Sequence, residues 1–108
     1  MMREVDIQEL ARARAAGAVV VDVREPGEYE AGHVPGARLI PLHRLQERVV
    51  EIPKDRPIYV VCASGNRSDT ATSWLTRAGV DAYSVAGGTG AWIQAGHPVV
   101  RGPREDTA

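Results

Sequence analysis

The hydrophobic pattern of this chain switches repeatedly between continuous apolar runs and residues spaced three or four apart. Continuous runs are typical of strands covered on both faces, as in a parallel sheet. Two strong runs read AVVVDV and PIYVV, and two weaker ones follow the same rule. We therefore predict strands at residues 18–23, 38–40, 57–61 and 80–85.

Helical spacing fills the gaps between these runs. A first helix is predicted from an N-cap at Asp6 to Gly17, a second over residues 42–52, and a third from Ser68 to Gly79. Residues 24–37 are dense in Gly and Pro, which predicts a long connection with at most one helical turn, begun at Pro26.

The alternation of helices and apolar strands predicts the α/β fold class. We expect a mainly parallel central sheet flanked by helices on both faces. The chain has 108 residues, 44% of them hydrophobic, which is enough for one compact core. Residues 1–100 are assigned to a single domain, and residues 101–108 to a polar, frayed C-terminal tail.

The composition of the chain indicates which classes of partner are disfavoured and which cellular compartment is favoured. The net charge is −1, so no global field favours nucleic acid or a membrane surface as a partner. The sequence shows no apolar run of the length that a signal peptide or a membrane span needs, which favours a cytoplasmic location. A single cysteine excludes an internal disulfide and stays a thiol in a reducing compartment.

That cysteine, Cys62, lies at the carboxyl end of a predicted strand, where ligands bind in parallel sheets. The loop after it is short and holds Gly65, and it leads directly into a helix. Backbone N–H groups of such a loop, together with the helix dipole, form an anion cradle. Its predicted members are Ala63, Ser64, Gly65, Asn66, Arg67 and Ser68.

The sulfur of Cys62 itself is an anion that this cradle could hold. A free thiol has a pKa near ~8.5, whereas thiols at helix N-termini beside Arg have pKa values of roughly 3.5 to 7.5. A thiolate in this position indicates nucleophilic catalysis, with Arg67 available to grip an anionic substrate. The alternative is that Cys62 is an inert, buried residue of the core.

Three other positions have both structural and functional interpretations. Asp22 lies inside an apolar run and must be paired, most simply with Arg24, either as architecture or as a brace for the cysteine loop. For His33, loop structure is favoured over acid–base chemistry. For Trp92, packing in the core and lining the wall of the site are equally favoured. The three histidines and one cysteine show no metal-ligand spacing, so no metal site is predicted.

Three blocks of the sequence resemble the single-domain rhodaneses, which are sulfurtransferases. VDVRE, with Glu28 and the following GHVPGA, is similar to the N-terminal signature of that family. CASGNRS resembles its active-site loop, CxxGxRS, and Gly87-Gly88 with Trp92 resembles its C-terminal block. The likeness spans roughly residues 6–98 and implies a single rhodanese-like domain.

The resemblance implies that Cys62 attacks the sulfane sulfur of a donor such as thiosulfate and carries it as a persulfide. Arg67 would bind the donor, and the rest of the loop would act through its backbone. Cyanide or a thiol would accept the sulfur. The expected partners are a small-molecule donor and a thiol acceptor, or a sulfur-relay protein, and no metal or organic cofactor is needed.

Two alternatives remain open. The same fold hosts phosphatases of the cell-cycle type, whose loop has five residues between Cys and Arg; this chain has four, which favours sulfur over phosphate. The other alternative is a persulfide-relay or interaction module with little activity on small-molecule donors.

Overall fold

The structure, a computed structural model, describes residues 3–105. Among these residues, five strands form one sheet, and five α-helices connect and cover them. Within the described range no helix is both long enough and apolar enough to cross a membrane. In chain order the elements are β1 Glu4–Val5, α1 Ile7–Ala15, β2 Val19–Asp22, α2 Pro26–Ala31, β3 Arg38–Leu39, α3 Leu45–Arg48, β4 Ile58–Val61, α4 Asn66–Arg77, β5 Ala82–Val85 and α5 Gly88–Gln94.

The sheet has the strand order β1-β5-β4-β2-β3, and every pair in it is parallel. Val20 of β2 lies opposite Tyr59 of β4, and Val60 of β4 lies opposite Ser84 of β5. The central strand is therefore β4, whose carboxyl end leads to Cys62. This architecture confirms the predicted fold class.

Successive residues of the central strands enter two different cores. Val20 and Val61 pack with side chains of α1, α2 and α5, whereas Val21 and Val60 pack with side chains of α3 and α4. Because helices cover both faces, every position of these strands is buried except Val19 and Tyr59, which are partly buried. This is the physical reason why β2 and β4 are continuous apolar runs rather than alternating ones.

Some element boundaries differ from the sequence prediction. Helix α2 has six residues, more than the single turn expected, because Glu25 and Glu28 form a capping box and Tyr29 is buried. Helix α4 begins at Asn66, two residues before the predicted start. The predicted helix over residues 42–52 is α3 with a 3₁₀ segment at each end.

Two features of the chain ends differ from the sequence prediction: strand β1 was not predicted, and the C-terminal tail was expected to be frayed. β1 has only two residues, too few to show a period, and it pairs with β5 at the edge of the sheet. The expectation of a frayed tail is wrong as far as Glu105: its carbonyl accepts from the N–H of Gly36, and the N–H of Gly102 donates to the carbonyl of Glu30. Residues 106–108 lie outside the described part, and the domain boundary at residue 100 stays a prediction.

Candidate active site

Cys62 directly follows β4 at the centre of the sheet and is almost fully buried. The N–H of Gly65 donates to its sulfur at 3.0 Å, and the sulfur lies 3.5 Å from Oγ of Ser68. Burial raises the pKa of the Cys62 thiol, but hydrogen bonds from the Ser68 hydroxyl and from the backbone N–H groups of Ser68, Gly65 and Ser64 outweigh it. The net result is a pKa below that of an ordinary thiol.

The loop amides face the sulfur because the loop carbonyls are held elsewhere. The carbonyl of Cys62 accepts from the N–H of Thr89 at 2.8 Å, and that of Ala63 accepts from the N–H of Gly90 at 3.0 Å. Both donors belong to the first turn of α5. Gly65 takes a φ of +115° at the N-cap of α4, a conformation that a residue with a side chain rarely adopts.

Gly88 permits the close approach of α5 to this loop. It has a φ of +56°, and a Cβ placed there would lie 2.3 Å from the carbonyl oxygen of Cys62. Only glycine fits between the helix and the strand end. The Gly87-Gly88 block noted in the sequence thus lets α5 come close enough to donate to the loop carbonyls.

Arg67 is paired with a carboxylate from α2. Its guanidinium donates to both carboxylate oxygens of Glu28, at 2.7 and 2.8 Å. These hydrogen bonds lower the pKa of Glu28 to about 2. The side chain predicted to bind an anionic donor therefore already holds an anion. Glu28 was noted as part of a motif but not predicted as a site residue.

The predicted pairing of Asp22 with Arg24 is confirmed. The Arg24 guanidinium donates to both carboxylate oxygens, the Arg24 N–H donates to one of them, and both side chains are buried. A further N–H of Arg24 donates to the carbonyl of Gly32, just after α2. The pair thus ties the end of β2 to the segment that carries Glu28, which supports the architectural interpretation.

Ser68 continues into a hydrogen-bonded group that sequence reasoning missed. Its Oγ lies 2.8 Å from Oγ of Ser84 in β5, and the Ser84 hydroxyl donates to Asp69 at 2.7 Å. The available signal was the hydroxyl of Ser84 inside an otherwise apolar strand. A buried hydroxyl needs a partner, and none is adjacent in the sequence.

The remaining predicted residues fall as follows. His33 is buried and stacks on Tyr29, with Nδ1 2.8 Å from the Tyr29 carbonyl and Nε2 3.0 Å from the Glu105 carbonyl, which fits a structural role in the loop. Trp92 belongs to the core, and its indole N–H donates to the Pro98 carbonyl at 2.7 Å. Asn66 is exposed at the start of α4.

Comparisons with known proteins agree with this geometry. The model of the rhodanese-like domain family matches residues 6–95. A protein of Allochromatium vinosum named sulfurtransferase is 36% identical over 103 residues, covering 93% of this chain and 96% of its own. Thiosulfate sulfurtransferase GlpE of Pseudomonas putida is 41% identical over 86 residues, covering 79% of this chain and 78% of its own.

Among solved structures, the crystal structure of a rhodanese-related protein from Thermoplasma volcanium superposes with a TM-score of 0.85. It is 35% identical in sequence, and the match covers 90% of this chain and 96% of that one. The likeness therefore extends to nearly the whole of both chains.

Replacing Asp22 with Ala leaves the Arg24 guanidinium buried without its partner. Loss of one member of a buried ion pair costs about 3–5 kcal/mol of unfolding free energy, which urea denaturation followed by circular dichroism measures. The matched control is Arg12→Ala, which removes an exposed pair with Glu9 and should change stability by less than about 1 kcal/mol. Equal effects of the two changes would contradict a buried anchoring role for Asp22.

Replacing Gly88 with Ala forces α5 away from the cysteine loop. We expect a loss of at least about 2 kcal/mol in unfolding free energy, from the positive φ and the clash with the Cys62 carbonyl, together with slower alkylation of Cys62. Gly27→Ala is the control, since a Cβ there meets nothing within 4 Å and lies inside α2. A Gly88→Ala protein as stable and as reactive as Gly27→Ala would rule out this packing constraint.

Proposed function

The chain belongs to the rhodanese-like domain family and is a sulfurtransferase of the rhodanese type, and we propose that it carries sulfane sulfur as a persulfide on Cys62. The observation that supports this most directly is the set of amide and hydroxyl donors around one buried sulfur, which lowers the pKa of the thiol. A site that stabilises a thiolate by hydrogen bonds suits a nucleophile that accepts and returns a single atom.

In the first half of the proposed reaction, the Cys62 thiolate attacks the outer sulfur of a donor such as thiosulfate. A sulfur–sulfur bond forms to Cys62 while the sulfur–sulfur bond of the donor breaks. The electron pair of the broken bond leaves with sulfite, so no oxidant or reductant is consumed. The N–H groups of the loop, from Ala63 to Ser68, then stabilise the anionic persulfide, as they stabilise the thiolate.

In the second half, a nucleophilic acceptor attacks the outer sulfur of the persulfide. The bond to Cys62 breaks and its electron pair restores the thiolate, while the acceptor leaves as a new persulfide or, from cyanide, as thiocyanate. We propose a thiol as the biological acceptor and the cytoplasm as the location, since a reducing compartment keeps both thiols available.

A second candidate function, persulfide relay with little activity on thiosulfate, is favoured by the pairing of Arg67. Thiosulfate is a dianion, and the cation that would bind it is already held at both nitrogens by Glu28. A donor that binds the two terminal nitrogens of Arg67 must compete with this carboxylate. A donor that brings no charge, or a protein persulfide docked by other contacts, meets no such competition.

Replacing Cys62 with Ser tests the persulfide directly. Incubation with thiosulfate should add the mass of one sulfur to the wild-type protein, reversibly with a thiol reductant, and should add nothing to the Ser variant. Thiocyanate formation should disappear as well, because a serine hydroxyl is not ionised near neutral pH. Intact-mass spectrometry and a cyanide assay provide the two readouts.

The control for this experiment is Ser73→Ala, an exposed position on α4 away from the loop, which should behave as the wild type. A Cys62→Ser protein that still forms thiocyanate would refute the proposed mechanism. A wild type that takes up sulfur from a protein persulfide but not from thiosulfate would favour relay.

Replacing Glu28 with Gln separates the two candidates. Gln removes the competing charge while keeping an oxygen for the cap of α2, so the KM for thiosulfate should fall by roughly threefold to tenfold. The KM for an uncharged organic polysulfide should not change. Glu25→Gln serves as the control, since Glu25 lies beside His43 rather than on Arg67. A KM for thiosulfate that is the same in both variants would show that Glu28 does not compete with the donor.

A further inference from the structure

The group formed by Ser68, Ser84 and Asp69 reaches from the half-buried start of α4 to the sulfur of Cys62. Ser68 and Ser84 are fully buried, on the sheet face that α4 covers. The contacts are 2.7 Å from Ser84 Oγ to Asp69 Oδ1, 2.8 Å between the two serine oxygens, and 3.5 Å from Ser68 Oγ to the sulfur. The mechanism proposed above uses only the hydrogen bond between the Ser68 hydroxyl and the sulfur, and it assigns no role to Ser84 or Asp69.

Counting hydrogens fixes the direction of these bonds. A carboxylate only accepts, so the single hydrogen of the Ser84 hydroxyl goes to Asp69. The contact between the serines is then a hydrogen bond only when it uses the hydrogen of Ser68. When Cys62 is a thiol, its S–H donates to Ser68 Oγ, and the Ser68 hydrogen can go to Ser84 or to the carbonyl of Gly65.

The thiolate needs the opposite arrangement at Ser68. A sulfur without a hydrogen can only accept, so the Ser68 hydroxyl must turn its hydrogen toward it. That leaves the oxygens of Ser68 and Ser84 facing each other at 2.8 Å with no hydrogen between them. The carbonyl of Gly65, 3.0 Å from Ser68 Oγ, is a third acceptor for the same hydrogen.

From this competition we propose that Ser84, oriented by Asp69, is a positioning residue that draws the Ser68 hydrogen away from Cys62. The pair thereby sets how much of the Ser68 hydrogen bond reaches the sulfur, and it favours the thiol over the thiolate. Its bearing on turnover rests on the proposed function, but its effect on the sulfur does not.

Alkylation of the sulfur tests this without any sulfur transfer. Cys62 is the only cysteine in the chain, so the rate of reaction with iodoacetamide at each pH reports its ionisation alone. In Ser84→Ala the Ser68 hydrogen loses its nearest competing acceptor. Alkylation below the pKa should become about threefold to tenfold faster, equivalent to a pKa lower by half to one unit, while the plateau at high pH stays the same.

Ser73→Ala, exposed on the same helix, controls for a general effect of removing a serine and should leave the profile unchanged. Urea denaturation of Ser84→Ala verifies that the variant is folded. Arg67 interacts electrostatically with Cys62 and pairs with Glu28, and neither Arg67 nor Glu28 is changed in any of these variants. An unchanged profile in Ser84→Ala, or one shifted to higher pH, would overturn the proposal.

A double-mutant cycle separates orientation from simple charge. Asp69→Asn replaces the carboxylate that accepts from Ser84 with a neutral amide, which is a weaker acceptor, and it also removes a negative charge. If Asp69 acts through Ser84, its effect on the alkylation profile should largely vanish in the Ser84→Ala background. An equal effect of Asp69→Asn in both backgrounds would show that Asp69 acts on the sulfur by charge alone, which contradicts its orienting role.

Discussion

The opposed directions of carbonyl and amide groups after β4 determine the electrostatic environment of Cys62. The carbonyls of Cys62 and Ala63 point to the first turn of α5, which donates to both. The amides of the next residues are thereby directed at the sulfur, and they overcome the penalty that burial places on its charge. The helix α5, the loop and the sulfur of Cys62 form one hydrogen-bonded unit, in which the orientation of each part depends on the others.

Two carboxylates restrain the polar side chains that surround this unit. Glu28 occupies the fork of Arg67, and Asp69 holds the hydroxyl of Ser84. Backbone dipoles therefore provide the fixed part of the stabilisation, whereas Arg67 and Ser68 each have a hydrogen-bond acceptor other than the sulfur. Backbone donors need no reorganisation when the charge on the sulfur changes, which suits the sulfur transfer that we propose for Cys62.

How much of this could be read from the sequence depends on whether the cause is local. The two-sided burial of β2 and β4 leaves continuous apolar runs, and an isolated Asp22 in such a run demands a neighbour, so both were predictable. The pairing of Glu28 with Arg67 joins positions 39 residues apart. It depends on where α2 lies against α4, which no local pattern encodes. The contact of Ser84 with the cysteine loop was hidden for the same reason, because it follows from the register of β5.

The close contact of Gly88 with the carbonyl of Cys62 links the size of the anion cradle to the position of α5. An inserted residue between Cys62 and Arg67 would lengthen the loop, while α5 would still donate to the carbonyls of Cys62 and Ala63. Enlarging the pocket for a bulkier anion would thus call for a compensating shift of α5 as well as a longer loop. Redesign for a larger ligand therefore involves both the loop and α5. Redesign for a different ligand charge involves only the carboxylates Glu28 and Asp69.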